Sequence, residues 1–335
     1  MDHVQIHPEV KEAIDSARPV VALESAVITS GLPRQPLRLP DALDIPGWNS
    51  GEPVNLELAR ALQRTVRAGG AVPATIAVIE GTLRIGLADH DIERLATDIQ
   101  VGKSSSSGLA AIVALGGTAG TTVSATLCAC AVSQSKTNPG GIRVFATGGI
   151  GGVHRNWQQR PDISADLRAI ATTPVCVVCS GAKSILDVPA TLELLETLGI
   201  PVVGYRTNRF PRFQCEGNDE LRISRCVEDI QSAALVCTAH WSTLNRPTGI
   251  VLANPVPRRF AMNASELENA VDQAESLASS RSASGAARTP FLLAEIARLT
   301  ENRSLYANVA LLRENATVAT ALASELATTG KVTGR

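Results

Sequence analysis

The chain has 335 residues, a formal net charge of −1 and a hydrophobic share of 44%, enough to bury a sizeable α/β core. That charge and only ten aromatic residues argue against a basic face or a base-stacking platform, so no nucleic acid is expected as a partner. No apolar stretch reaches membrane-spanning length, the N-terminus lacks a basic-then-apolar leader, and the seven cysteines are scattered. A soluble cytoplasmic protein with no membrane contact is expected.

In chain order, Val20–Ile28 reads as a strand with one carboxylate, Glu24, inside it. A proline-rich loop follows from Gly31 to Pro53. Asn55 then reads as the cap of a helix whose apolar positions are Leu56, Ala59, Leu62 and Val66. Gly69-Gly70 ends that helix and Ala74–Ile79 is the next strand. Ile99–Val101 is strand-like and leads to Lys103. Leu109–Leu115 and Thr121–Val132 read as helices. Ile142–Ala146, Val175–Val178 and Val202–Gly204 are short apolar strands, with a crossover helix over Leu192–Leu198. Ile250–Ala253 is a strand, and helices follow over Ala264–Leu277, Pro290–Leu299 and Leu305–Ala327. Ser279–Arg288 is expected to be a mobile loop. The alternation predicts one domain over residues 1–335, a three-layer α/β/α fold with a mostly parallel central sheet.

The densest signal runs from Thr147 to Asp187. Four glycines lie within Gly148–Gly152, but His154 stands where a dinucleotide fingerprint needs its third glycine. Such a cluster either brings backbone amides to an anion or sugar phosphate, or makes a tight turn with no ligand. Lys183 follows the apolar run Val175–Val178 and is one of only five lysines in the chain. A lysine desolvated there tends to lose proton affinity, as an amine nucleophile requires. Burial of Glu24 raises a carboxyl pKa and suits a proton donor; a paired structural charge is the competing reading. Asp162 and Asp166 are four apart and would share a helix face suited to a hard divalent cation, unless Asp162 is merely a helix cap. Lys103 is not part of a phosphate-binding P-loop, because Thr97 replaces the required first glycine. It remains either a phosphate contact or a surface lysine. Cys176 and Cys179 are three apart in an extended run and read as buried structural thiols.

Taken in order, Ala22-Leu23-Glu24-Ser25, Thr121-Thr122-Val123, Phe145–Arg155, Asp162–Leu167 and Gly181–Asp187 resemble the pseudouridine-5′-phosphate glycosidases. Asn254-Pro255-Val256-Pro257, Thr289–Leu293 and Asn308 continue the resemblance, which spans about Pro19 to Ala327. It implies cleavage of the C–C glycosidic bond of pseudouridine 5′-phosphate to uracil and ribose 5-phosphate. It further implies Lys183 as nucleophile through a covalent, Schiff-base-type lysine adduct, and Glu24 as proton donor. Asp162 is implied as ligand of Mn²⁺ or another divalent metal. Lys103, Val123, Ser164, Ala165 and Asp166 are implied as substrate contacts, with His154 and Asn308 lining the site. The family resemblance also implies a homotrimer.

Three departures from the family pattern stand out. The run Ser104–Ser107 with Gly108 replaces a pattern bearing two arginines and an aspartate. The loop after the Glu24 strand carries an insertion at about residues 36–53, which either covers the site or is an extra surface loop. A smaller insertion lies near Ser133–Gly140. Two other readings stay open: a Schiff-base aldolase or lyase acting on another sugar phosphate, and a catalytically impaired relative that only binds a nucleotide.

Overall fold

The computed structural model describes residues 3–134, 141–159, 161–281 and 288–332. The expected loop over Ser279–Arg288 and the smaller insertion near Ser133–Gly140 fall largely outside the described residues. The elements in chain order are β1 (Val4–Ile6), α1 (Pro8–Asp15), β2 (Val20–Glu24), α2 (Val54–Ala68), β3 (Val72–Ile79), β4 (Thr82–Ile85) and α3 (Asp89–Thr97). They continue with β5 (Gly102–Ser104), α4 (Ser106–Ala114), β6 (Ala119–Thr121), α5 (Val123–Val132), β7 (Val144–Ala146), β8 (Val153–His154), α6 (Ala165–Thr172), β9 (Cys176–Cys179) and β10 (Leu186–Asp187). The last are α7 (Val188–Thr197), β11 (Val202–Tyr205), β12 (Cys226–Val227), α8 (Ile230–Thr238), β13 (Ile250–Ala253), α9 (Ala264–Ser280), α10 (Arg288–Leu299) and α11 (Arg303–Val332).

One large sheet runs in the order β1-β4-β3-β2-β7-β9-β13-β11-β12, with β6 on β3 and β5 on β6. Among the described residues its pairings are parallel except those of β4 and β6 with β3. Every residue of β3, β7, β9 and β13 is buried, as strands covered on both faces must be. Helix α11, with α2 and α8 against it, runs along β2, β7 and β9; α5, with α4 and α6 against it, packs on β2 and β3. The sheet is therefore mostly parallel with helices on both faces, the three-layer arrangement expected. Cys176 and Cys179 are buried and free, as expected of structural thiols.

Local chemistry explains where the elements differ from the expectation. The strand expected over Val20–Ile28, β2, ends at Glu24, and Val27–Gly31 is a wide helical turn. Ser25 is the cause: its hydroxyl donates to the Ile76 carbonyl at 2.5 Å and accepts from the Thr121 amide at 3.0 Å, while its own carbonyl accepts from Ile28 and Thr29. Asn55 does not cap α2, which begins at Val54 after Pro53. Its buried amide instead donates to the carbonyls of Ile28 (2.8 Å) and Ala96 (3.0 Å), pinning that turn. Thr121 belongs to β6, and α5 starts two residues later. Ile99–Val101 is not a strand, because the Asp98 carboxylate turns the chain by accepting from the Gln100 amide; pairing begins at Gly102. The inserted loop packs against α2 and α11, where Arg313 donates to the carbonyls of Leu43 (2.9 Å) and Asp44 (2.8 Å) and Arg64 donates to Gly47 (3.2 Å).

Candidate active site

Because β2, β7, β9 and β13 run parallel in register, Glu24, Thr147, Ser180 and Asn254 leave the sheet at one edge. Ligands of open α/β sheets gather at such carboxyl ends. There a cleft of about 540 Å³ is lined by Glu24, Lys103, Thr122, Lys183 and Asn308, together with Gly148, Gly149, Phe213 and the α10 residues Thr289 and Pro290. Four residues singled out from sequence, on β2, β5, the loop after β9 and α11, thus meet in one cleft.

Each has a physical setting. Glu24 is half-buried and its Oε1 accepts from the Thr147 hydroxyl. Burial pushes its carboxyl above the ordinary carboxylate range, against the opposing charge of Lys183 and the hydrogen bond from Thr147. Lys103 moves the other way: burial lowers its ammonium, Lys183 adds to that, and Glu24 and Asp166 resist it. The turn that presents Lys183 is built on Gly181, whose φ of +73° and whose absent Cβ, which would lie 1.9 Å from the Pro211 carbonyl, admit no side chain. Asn308 is buried on α11, and its Oδ1 has no hydrogen-bond partner among the described residues. An acceptor left open in a cleft suits a ligand N–H or O–H.

The glycine cluster serves close packing. A Cβ on Gly149 would meet Phe213 at 2.7 Å, one on Gly151 would meet Ser164 Oγ at 2.3 Å, and one on Gly152 would meet Thr191 Oγ1 at 2.3 Å. The amides of Ile150, Gly151 and Val153 donate to Gly181 O, Asp166 Oδ2 and Thr191 Oγ1. Only Gly148 and Gly149 of the four border the cleft.

The remaining candidates lie around the cleft and do not line it. Asp166 is 4% exposed, and its two oxygens accept from the amides of Ser124 and Gly151, both at 2.9 Å, so it ties α5 to the glycine turn. Val123 is wholly buried beside the lining residue Thr122. Ser164, not Asp162, caps α6, accepting from the Asp166 amide, and Ala165 is the first helical residue. The expected pairing of Asp162 with Asp166 on one helix face is therefore wrong: Asp162 precedes the helix, and its carbonyl accepts from the His154 amide. Its side chain is 60% exposed, with Oδ2 3.9 Å from His154 Nδ1. His154 sits opposite Leu186, three residues after Lys183, and burial lowers its imidazole against the pull of Asp162. Among the described residues no group of three His, Cys, Asp or Glu is arranged to hold a metal.

Sequence reasoning missed Thr122, Phe213, Thr289 and Pro290 as lining residues and Thr147 as the partner of Glu24. Thr122, Thr147, Thr289 and Pro290 stood within the quoted motifs; Phe213 had no signal beyond being one of few aromatics. None of residues 36–53 lines the cleft, so the insertion is an extra surface loop.

The family model described as indigoidine synthase A like protein matches residues 48–325. A pseudouridine-5′-phosphate glycosidase of Caldanaerobacter subterraneus is 44% identical over 96% of each chain. One of Sorangium cellulosum is 43% identical over 98% of this chain and 95% of its own. Among solved structures, a prealnumycin C-glycosynthase in complex with ribulose 5-phosphate superposes with a TM-score of 0.82 at 33% identity, covering 98% of both chains. An indigoidine synthase A-like protein from Thermotoga maritima gives a TM-score of 0.79 at 30% identity and the same coverage. The cleft is thus set in a chain matched along nearly its whole length by relatives of one name, and the chain belongs to the family of the pseudouridine-5′-phosphate glycosidases.

Proposed function

We propose that this protein cleaves the C–C glycosidic bond of pseudouridine 5′-phosphate, releasing uracil and ribose 5-phosphate, and that the whole chain serves as one catalytic domain in the cytoplasm. The observation that carries this reading is the cleft itself, where a carboxyl with raised pKa shares one lining with two lysines. A C-nucleoside has no leaving nitrogen to protonate, so covalent catalysis by an amine is the suitable route. The Lys183 amine bonds to C1′ as the C1′–O4′ bond opens and O4′ takes a proton. The nitrogen lone pair then forms a C=N bond while the C1′–C5 electrons return to the uracil carbon, which takes a proton from Glu24. Water hydrolyses the imine, restoring the amine and freeing ribose 5-phosphate.

Lys103 supplies positive charge for the phosphate, with Ser164, Ala165, Asp166, Val123 and His154 as the frame around the cleft. Asn308 offers its open carbonyl to an N–H of the uracil. Asp162 has an exposed carboxylate near His154 and no second acidic ligand beside it among the described residues. That donor set fits Mn²⁺ or Mg²⁺ held by one carboxylate and a water-rich shell, where the ion would supply positive charge to the sugar phosphate. A homotrimer is supported by α4, an apolar helix with no buried residue, and by Leu115 after it, 85% exposed.

The test is incubation with pseudouridine 5′-phosphate, with and without Mn²⁺, following uracil by chromatography. Metal-stimulated uracil release is expected; binding without uracil release would overturn the reading. The likeness to a C-glycosynthase favours a second one, the same steps run toward C–C bond formation. Pseudouridine 5′-phosphate formed from uracil and ribose 5-phosphate would reveal it.

A further inference from the structure

The hydrogen bond that holds Glu24 comes from Thr147, and Thr147 is itself held from behind by α11. Asn315 is wholly buried there. Its Nδ2 donates to the Thr147 carbonyl at 2.8 Å and lies 3.4 Å from the Gly148 carbonyl and 3.2 Å from Ser180 Oγ. Its Oδ1 accepts from Asn254 Nδ2 at 2.9 Å. Thr147 and Gly148 directly follow β7, Ser180 follows β9 and Asn254 follows β13. One side-chain amide therefore ties the ends of three neighbouring parallel strands together.

Two of those ends carry the chemistry. Thr147 donates to Glu24, and Ser180 opens the turn that delivers Lys183, its own amide donating to Gly148 at 2.8 Å. The same helix places Asn308 in the cleft two turns earlier. An apolar residue at 315 could pack α11 against the sheet. It would leave the Thr147 carbonyl and the Asn254 amide without these partners in a buried layer. Packing alone does not call for an asparagine.

We propose that Asn315 is a positioning residue for the reaction: by joining Thr147 to the Ser180 turn it sets how Glu24 and Lys183 face a common substrate. The inference rests on the proposed cleavage of pseudouridine 5′-phosphate. Its direct consequence is that loosening Asn315 weakens the Thr147 hydrogen bond. Glu24 then stays protonated to higher pH, because that bond favours the ionised carboxylate.

The experiment compares Asn315→Leu, which keeps the volume and removes the amide, with Thr147→Val and with the double variant. Uracil release is measured against pH, and the Glu24 carboxyl is titrated by ¹³C NMR, with its signal assigned through Glu24→Gln. For Asn315→Leu, kcat is expected to fall by about tenfold or more with KM little changed. The alkaline limb of kcat and the Glu24 titration should both move upward, as in Thr147→Val, and the double variant should lose less than the product of the two. A folded Asn315→Leu protein with the parent kcat, limb and titration would overturn the proposal, as would fully multiplicative losses. If Asn315→Leu does not fold, Ser180→Ala and Asn254→Ser each remove one partner of Asn315. Movement in the same direction supports the proposal, and an unmoved Glu24 titration in both overturns it. If the parent protein releases no uracil, the reaction assignment fails by itself; the Glu24 titration still decides the role of Asn315.

Discussion

Two neighbouring regions at the same edge of the sheet differ in how they treat charge. At the ends of β2, β7 and β9, Glu24, Lys103 and Lys183 line one cleft, and burial moves the carboxyl up and the Lys103 ammonium down. At the ends of β11 and β13 lies a wider groove of about 1600 Å³, lined by Arg206, Arg209 and Arg258 with Glu216, Glu228 and Glu314. There Arg209 pairs with Asp219 at 2.9 Å, Arg258 with Glu216 at 3.4 Å, and Arg206 donates to the Glu228 carbonyl. What sets the smaller cleft apart is that a carboxyl and an ammonium facing one space are both held away from their ordinary pKa values by burial.

Substitutions can break this comparison, and the largest effect is expected at Lys183. Lys183→Ala should lower uracil release by about 10⁴-fold or more and abolish any adduct trapped by borohydride, read by intact mass. A trapped adduct on the variant would remove Lys183 from the role of nucleophile. Glu24→Gln should cost about 10²- to 10⁴-fold, measured as kcat. In the parent the raised carboxyl pKa makes activity fall as pH rises through it, since the donor loses its proton. The sign for stability is the same. The folded state holds that proton more tightly than the unfolded state, so ionisation above the unfolded value destabilises the fold. Glu24→Gln should therefore melt higher than the parent at alkaline pH, with the difference shrinking at acid pH in a thermal melt.

Smaller effects follow outward from the cleft. Asp162→Ala should reduce activity by about tenfold or more and abolish its response to Mn²⁺ and to chelator; activity that still rises with Mn²⁺ would move the metal elsewhere. Lys103→Ala should raise KM by about tenfold with a smaller change in kcat, as a lost phosphate contact does. In the groove, Arg206→Ala and Arg258→Ala should leave kcat and KM within about twofold and stability within about 0.5 kcal/mol, because exposed pairs contribute little. A large loss of activity in either would place chemistry in the groove and collapse the contrast between the two regions.

Much of the site could be read locally. Lys183 follows an apolar run, so its place beyond the end of a buried strand was visible without a fold, whereas Glu24 was read inside a strand that in fact stops at it. Lys103 needed β5 to be paired before its place in the cleft was clear. Asp187, at the end of the Lys183 motif, turned out to cap α7 by accepting from the Ala190 amide at 3.0 Å. Val123, Ser164, Ala165 and Asp166 stand around the cleft as its frame, which spacing alone could not separate from its lining.

The sequence by itself determined the alternation of the main strands and helices, the mostly parallel sheet and four of the side chains that line the cleft, Glu24, Lys103, Lys183 and Asn308. The first two follow from hydrophobic period and from glycine and proline, which act within a few residues. Tertiary structure decided where β2 stops, through Ser25 bonds to residues 51 and 96 positions away. It also made Asn55 an anchor where a cap was expected and separated Asp162 from the α6 face. The hold on Thr147 comes from Asn315, 168 residues on. Hydrogen bonds over such spans depend on which strand ends the sheet order brings together, and no local pattern contains that order.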